Sequence, residues 1–224
     1  MNSAVAPRQL VLALDHATSF AREDFLSGPS NAAALALVES WPDWPQRIMA
    51  IVGPEGSGKS HLASIWAQSA GARTLAGKLL VEIDPPAAFA TGALVIEDLS
   101  FAGLDERALF HFINFAREHS AFVLMTSRSP LSSFPVAIRD LASRLRAVPA
   151  VTLAPPDDAL LRALIVKLAA DRQLHVDDAL VNYLATRIER SFAAARAAVA
   201  RLDEEAMRRQ RPVTRALAAE LFRE

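Results

Sequence analysis

The stretch Gly53-Pro54-Glu55-Gly56-Ser57-Gly58-Lys59-Ser60 decides the fold class of this 224-residue chain. It matches the pattern G-x-x-x-x-G-K-[ST], a loop whose backbone N–H groups surround a phosphate. An apolar run, residues 48–52, precedes the loop, and a helix-like segment begins at His61 directly after it. Because strand, glycine-rich turn and helix follow in the order that the motif requires, the sequence predicts a nucleotide-binding P-loop.

Each residue type in this loop has a predicted task. Gly56 and Gly58 allow the backbone to turn its N–H groups inward. Lys59 can reach the β- and γ-phosphate oxygens, and the Ser60 hydroxyl can ligate Mg²⁺. The cofactor expected here is ADP or ATP with Mg²⁺, and the predicted nucleotide-binding residues of this stretch are Gly53, Pro54, Glu55, Gly56, Ser57, Gly58, Lys59, Ser60 and His61.

Polar residues follow two later apolar runs and supply the second half of a nucleotide site. Glu97 and Asp98 end the run 93–96, where one carboxylate can join the magnesium shell and the other can face water. The alternative is an ordinary strand end with solvated acids. Thr126 and Ser127 end the run 122–125, which would bring them to the γ-phosphate end of the site.

Arg144 follows in a short helix and has two interpretations. It can stabilise transition-state charge on a nucleotide bound by a neighbouring subunit, an effect worth up to about 10³–10⁵ in rate. It can equally form a surface salt bridge, and its spacing alone does not separate the two.

Apolar runs alternating with amphipathic segments predict an α/β fold with a parallel five-stranded sheet covered on both faces. The predicted strands are 48–52, 78–83, 93–96, 122–125 and 148–153. After Pro155 no strand pattern remains, and Asp157 can cap the first of several helices. The predicted organisation is a flexible N-terminal segment, 1–17, an α/β P-loop domain, 18–155, and a small all-helical lid, 156–224.

Composition limits the partners and the compartment. The 24 basic and 25 acidic residues nearly cancel, which argues against a large non-specific nucleic-acid surface. No cysteine, transmembrane-length apolar run or signal peptide is present, so a soluble cytoplasmic protein without a membrane partner is expected. Five arginines near the C-terminus favour a solvated helix face over direct sequence-specific DNA binding: Arg201, Arg208, Arg209, Arg211 and Arg215.

The N-terminal stretch Gln9-Leu10-Val11-Leu12-Ala13-Leu14 alternates leucine with other residues. Alternation predicts an extended segment with one apolar face. Such a segment can dock on a partner protein, or it can form an edge strand of its own sheet, which the pattern alone favours. Exchange between two copies, giving a homodimer, is a third arrangement.

The order of these features resembles the AAA+ domain of the bacterial replication initiator DnaA. Local strings support the likeness, namely Asp24-Phe25-Leu26, Gly28-Pro29-Ser30-Asn31 and Asp140-Leu141-Ala142-Ser143-Arg144-Leu145. The chain ends after its lid without a helix-turn-helix domain, and residues 9–14 look like the Q-L-x-L-x-L peptide that binds the DNA polymerase sliding clamp. Together these features resemble the Hda family, the regulatory inactivator of DnaA.

The resemblance implies that the protein binds ADP, docks on the DNA-loaded clamp and promotes hydrolysis of ATP held by DnaA. Arg144 matches the family's arginine finger, Glu97 its magnesium aspartate, and Thr126 with Ser127 its first sensor. Phe25 and Asn31 match the part beside the adenine and ribose. The implied clamp-binding residues are Gln9, Leu10, Leu12 and Leu14.

Three departures weaken the prediction that this chain hydrolyses its own ATP. Glu97 is longer than the family's aspartate, and Arg128 stands near the position of an acidic residue. Ala193 falls where DnaA has the arginine of its second sensor, so Arg190 or Arg196 would have to replace that arginine. The alternative function is a self-sufficient AAA+ ATPase, such as a helicase loader or transposition helper, that cycles in a homo-oligomer.

Overall fold

The computed structural model of the chain describes residues 20–222, and the predicted clamp-binding segment 9–14 lies outside them. Five parallel strands form one sheet in the order β2-β3-β4-β1-β5. The strands are β1 Ile48–Val52, β2 Arg73–Ala76, β3 Ala93–Leu99, β4 Phe122–Ser127 and β5 Ala150–Thr152. The predicted α/β fold with a parallel five-stranded sheet is confirmed.

Helices connect the strands and then continue alone to the end of the described chain. Those that accompany the sheet are α1 Ala32–Glu39, α2 Lys59–Ala70, α3 Pro85–Ala88, α4 Glu106–Glu118 and α5 Arg139–Ala147. Those that follow it are α6 Asp158–Asp171, α7 Asp178–Ala185, α8 Phe192–Arg209 and α9 Arg215–Leu221. Within residues 20–222, no helix is long and apolar enough to cross a membrane.

Both faces of the sheet are buried, which explains why its central strands are continuously apolar. All five residues of β1 are buried. Successive side chains of a strand point to opposite faces, so Leu94 of β3 joins the core cluster around Phe112 of α4, whereas Val95 joins the cluster around Trp66 of α2.

The strand predicted over residues 78–83 is wrong. A 3₁₀ helix spans Gly77–Glu82, and the edge strand is β2, which pairs with β3 from Arg73 opposite Leu94. In the 3₁₀ helix Leu80 is buried while the neighbouring Val81 is 61% exposed. A short apolar run does not distinguish a strand from a helical turn, and only the pairing partner decides between them.

The four helices α6 to α9 pack around a core of their own, and we call this unit the lid. Each of them begins with a side-chain cap, at Asp157, Asp177, Ser191 and Thr214. These caps accept hydrogen bonds from otherwise unpaired N–H groups of the first turn. The predicted cap at Asp157 is therefore confirmed, with its carboxylate 2.8 Å from the Leu160 nitrogen.

Candidate nucleotide-binding site

The P-loop joins the end of β1 to the start of α2. Gly56 has φ of +68° and Gly58 has φ of +97°, in the left-handed region that favours glycine. The helix begins at Lys59, so its positive end and its first unpaired N–H groups face the loop. This is the backbone arrangement that binds phosphate groups.

Gly53 is required for a different reason, the close approach of two backbones. A Cβ atom at this position would lie 2.8 Å from the Leu153 carbonyl oxygen. The Gly53 N–H donates a 3.1 Å hydrogen bond to the Ser127 carbonyl. The loop is therefore held between the residues that follow β5 and the end of β4.

The Lys59 side chain is folded back over the loop and is 8% exposed. Its Nζ donates hydrogen bonds of 2.9 and 2.7 Å to the carbonyl oxygens of Gly53 and Pro54. Burial lowers the pKa of Lys59, and the positive charge of Arg128 lowers it further. The ammonium group thus lies at the loop, where phosphate oxygens can take the place of the two carbonyls.

Glu97 and Asp98 at the end of β3 lie in different environments. In the described part of the chain, Oε1 of Glu97 is buried and has no hydrogen-bond partner. The Asp98 carboxylate is exposed, and its residue has φ of +51°. Mg²⁺ binds oxygen ligands, so the buried Glu97 oxygen and the Ser60 hydroxyl in the first turn of α2 fit a magnesium ion that accompanies a nucleotide.

The hydroxyls predicted to face the γ-phosphate bind backbone groups of the adjacent strand, and their contact with a phosphate stays a prediction. Thr126 is 1% exposed, and its Oγ1 accepts a 2.9 Å hydrogen bond from the Asp98 N–H. Ser127 is equally buried, with its Oγ 2.9 Å from the Leu99 carbonyl oxygen. These two contacts hold the ends of β3 and β4 together.

Arg128, the next residue, extends towards the P-loop. Its Nη1 lies 2.6 Å from Oε2 of Glu55, and its Nε lies 3.8 Å from Oδ1 of Asp98. The sequence marked Arg128 only as a departure from a family pattern. Its position directly after the polar end of a strand in a parallel sheet is the signal from which a role at this edge could have been predicted.

Phe25, predicted to lie beside the base, packs against His61 at the start of α2. Nε2 of His61 lies 2.9 Å from the Ala21 carbonyl oxygen, and Phe20 and Phe25 contact the imidazole edge-on at 5.4 and 5.2 Å. Burial lowers the pKa of His61, which favours the neutral ring that donates through Nε2. Phe25 also lies against the loop, 3.6 Å from a Cβ built on Gly58.

Asn31 has a structural task in the loop before α1. Its Oδ1 accepts a 2.8 Å hydrogen bond from the Gly28 N–H, and its Nδ2 donates one of 2.9 Å to the Leu26 carbonyl. Leu26 packs against the lid core. Asn31 therefore shapes the connection between the lid and the sheet, and its contact with a nucleotide stays a prediction.

The lid touches the phosphate loop directly. The Phe192 N–H donates a 2.8 Å hydrogen bond to the Gly56 carbonyl, and a Cβ on Gly56 would lie 2.9 Å from that of Ala193. Of the two lid arginines considered as replacements for a second sensor, Arg190 pairs with Asp158 at 2.7 Å. Arg196 is half-buried, and its charge adds to the effect of burial in lowering the pKa of His61.

Arg144 lies far from this loop. Its Nη1 donates a hydrogen bond to Oδ1 of Asn114, and its guanidinium lies 4.8 Å from the Phe110 ring centroid, both on α4. It also lines a cavity of about 260 Å³ with Arg47 and Arg117. Arg47 precedes β1 whereas the P-loop follows it, a separation of about 16 Å along a five-residue strand.

The C-terminal arginines are mostly engaged within the lid. Arg208 and Arg209 form ion pairs with Glu205, and Arg209 also pairs with Glu220. Arg201 lies 5.3 Å from the Phe222 ring centroid. Such contacts are typical of a solvated helix face.

A P-loop after a central parallel strand, acidic residues at the end of a neighbouring strand and a helical lid define the AAA+ class of P-loop fold. No protein-family model matches the sequence. The chain is 26% identical over 228 residues to the chromosomal replication initiator protein DnaA of Symbiobacterium thermophilum, covering 90% of this chain and 50% of that protein. It thus spans about half the length of that curated relative.

Solved structures give the same fold. Domain III of the Thermotoga maritima replication initiation protein DnaA matches with a TM-score of 0.75 at 19% identity, over 90% of this chain and 95% of that one. The replication initiator DnaA bound to AMPPCP and single-stranded DNA matches with a TM-score of 0.65 at 16% identity, over 84% of this chain and 67% of that one. The Thermotoga maritima RuvB Holliday junction branch migration motor matches with a TM-score of 0.68 at 18% identity, over 90% of this chain and 70% of that one. The fold is a DnaA-like AAA+ fold.

Proposed function

We propose that this chain is a DnaA-related AAA+ regulator of replication initiation. It binds ADP or ATP with Mg²⁺ at the P-loop, docks on the sliding clamp through Gln9, Leu10, Leu12 and Leu14, and stimulates hydrolysis of ATP held by DnaA. When bound, the Mg²⁺ would neutralise charge on the phosphates of the nucleotide. The P-loop backbone, Lys59, Ser60 and Glu97 hold these two groups.

The observation that carries the proposal is the separation of Arg144 from the P-loop of its own chain. A guanidinium at the other end of β1 does not reach a phosphate bound after β1, but it can meet a nucleotide held by a second protein. An arginine supplied in this way stabilises the charge of the phosphoryl-transfer transition state. Asn114 and Phe110 hold the guanidinium in one position before the partner arrives.

The experiment measures hydrolysis of DnaA-bound ATP with clamp-loaded DNA and compares the wild type with Arg144→Ala and Gln9→Ala. Both variants should fail to accelerate hydrolysis, while their affinity for ADP stays at the wild-type value. Arg146→Ala, an exposed neighbour in α5, is the control and should remain active. An inactive wild type would overturn the proposal.

The likeness to the RuvB motor favours a second candidate, an ATPase that works in its own homo-oligomer. In that case Arg144 would act on the nucleotide of another copy of this chain. Concentration-dependent ATP turnover without DnaA, lost in Arg144→Ala and restored by mixing that variant with Lys59→Ala, would support this candidate over the first.

A further inference from the structure

Arg128 lies between the P-loop and the acidic end of β3. It contacts Glu55 of the loop at 2.6 Å and approaches Asp98 at 3.8 Å. Its side chain is 55% exposed, so burial does not hold it there. The two carboxylates account for its position.

The other polar side chains at the end of β4 are already engaged. The Thr126 hydroxyl accepts from the Asp98 N–H, and the Ser127 hydroxyl lies 2.9 and 2.7 Å from the carbonyl oxygens of Leu99 and Ser129. Donation by the Ser127 hydroxyl to a phosphate would break its buried contact with the Leu99 carbonyl, whereas the Thr126 hydroxyl accepts its bond and keeps its own hydrogen to donate. Arg128 can turn to a ligand without such a loss, because both of its partners are exposed carboxylates.

Arg128 also offsets negative charge beside the loop. The carboxylates of Glu55, Glu97 and Asp98 act on Lys59, and so does the guanidinium of Arg128. Without Arg128 a polyanionic ligand would meet these carboxylates with one positive charge fewer beside Lys59. Like charges repel, so a polyanionic ligand benefits from the positive charge that Arg128 places between the two exposed carboxylates.

We infer that Arg128 is a phosphate ligand supplied by this chain to its own site, and that it selects the terminal phosphate of a nucleoside triphosphate. The inference rests on the proposed nucleotide binding. In the described part of the chain the ion pairs of Arg128 use Nη1 and Nε, so Nη2 remains to donate to a phosphate oxygen. The planar fork of arginine matches the geometry of a phosphate group better than lysine does.

The test is calorimetric titration of nucleotide-free protein with ADP and with a non-hydrolysable ATP analogue, each with Mg²⁺. Arg128→Ala should weaken binding of the triphosphate about tenfold or more, as expected for hydrogen bonds to a charged group, and binding of ADP less than about threefold. Arg128→Lys should fall between the wild type and Arg128→Ala. Glu55→Gln releases the guanidinium from its closest partner and should strengthen triphosphate binding.

Arg107→Ala removes an exposed arginine of α4 and is the matched control, with no change expected. Equal effects of Arg128→Ala on both nucleotides would mean that Arg128 only restrains Glu55 and would overturn the inference. Stronger triphosphate binding by Arg128→Ala would overturn it as well. A wild type that binds neither nucleotide would instead refute the proposed function, an outcome that the ADP titration separates from the other two.

Discussion

The backbone N–H of Phe192 donates a 2.8 Å hydrogen bond to the carbonyl oxygen of Gly56. The first residue of α8 is thereby joined to the phosphate loop, although 136 residues separate the two in sequence. Directly beside this bond, Ala193 packs where a larger residue at position 56 would not fit. The lid therefore packs directly on the phosphate loop, and a substitution at Gly56 should disturb the conformation of the loop and the packing of the lid.

Gly56→Ala is expected to destabilise the protein more than Gly71→Ala. Both positions have positive φ, +68° and +61°, so each substitution costs about 1–2 kcal/mol in backbone conformation. Among residues 20–222, none lies within 4 Å of a Cβ at Gly71, whereas one at Gly56 would overlap Ala193 and add about 1 kcal/mol or more. Urea unfolding measures the difference, and equal losses would contradict the lid contact.

Asn114→Ala should reduce stimulation of ATP hydrolysis in DnaA about tenfold while leaving ADP affinity unchanged. Without the amide that accepts from its Nη1, the Arg144 guanidinium regains rotamer freedom that must be lost again on contact with the partner. Asn182→Ala is the matched control, because Asn182 accepts from an exposed lid arginine, Arg162. Full stimulation by Asn114→Ala would show that Arg144 needs no such support.

Asp24→Asn should destabilise the protein by about 1 kcal/mol and Asp171→Asn by about 0.3–0.5 kcal/mol. Both carboxylates bind Nζ of Lys167, at 2.6 and 2.8 Å. Asp24 joins the lid to the segment before α1 and is less exposed than Asp171. Asp171 lies one turn after Lys167 in α6. Thermal unfolding of both variants and the double mutant at two salt concentrations tests the ranking, and a larger loss in Asp171→Asn would reverse it.

His61→Gln should remove part of the loss of stability that occurs in mild acid. Burial lowers the pKa of His61 from 6.5, and the nearby charge of Arg196 contributes in the same direction. The unfolded state therefore binds the proton more readily, so this contribution is present above pH 6.5 and is lost as pH falls through the lower folded pKa. Free energies of unfolding between pH 5 and 8 measure it, and parallel curves for wild type and variant would exclude His61 as the source.

Local signals in the sequence predicted much of the fold. The run before Gly53, the glycines of the loop and the helix after it specify the P-loop because they are neighbours in the chain. The strand predicted at 93–96, which extends to Leu99 in the structure, follows from a local apolar run, and the cap at Asp157 follows from short-range hydrogen bonding. The strand predicted at 78–83 was wrong because the choice of an edge strand depends on a distant partner.

For the candidate site, too, the sequence predicted the features that neighbouring residues produce, and the tertiary structure decided the rest. The sequence by itself determined the class of ligand, since the loop from Gly53 to Ser60 carries its phosphate-binding geometry within eight consecutive residues. Only the tertiary structure decided that Arg128, directly after β4, contacts Glu55 of that loop and that α8 rests on Gly56. Those contacts join residues that lie far apart in the chain, and their geometry arises only when the sheet and the lid pack together.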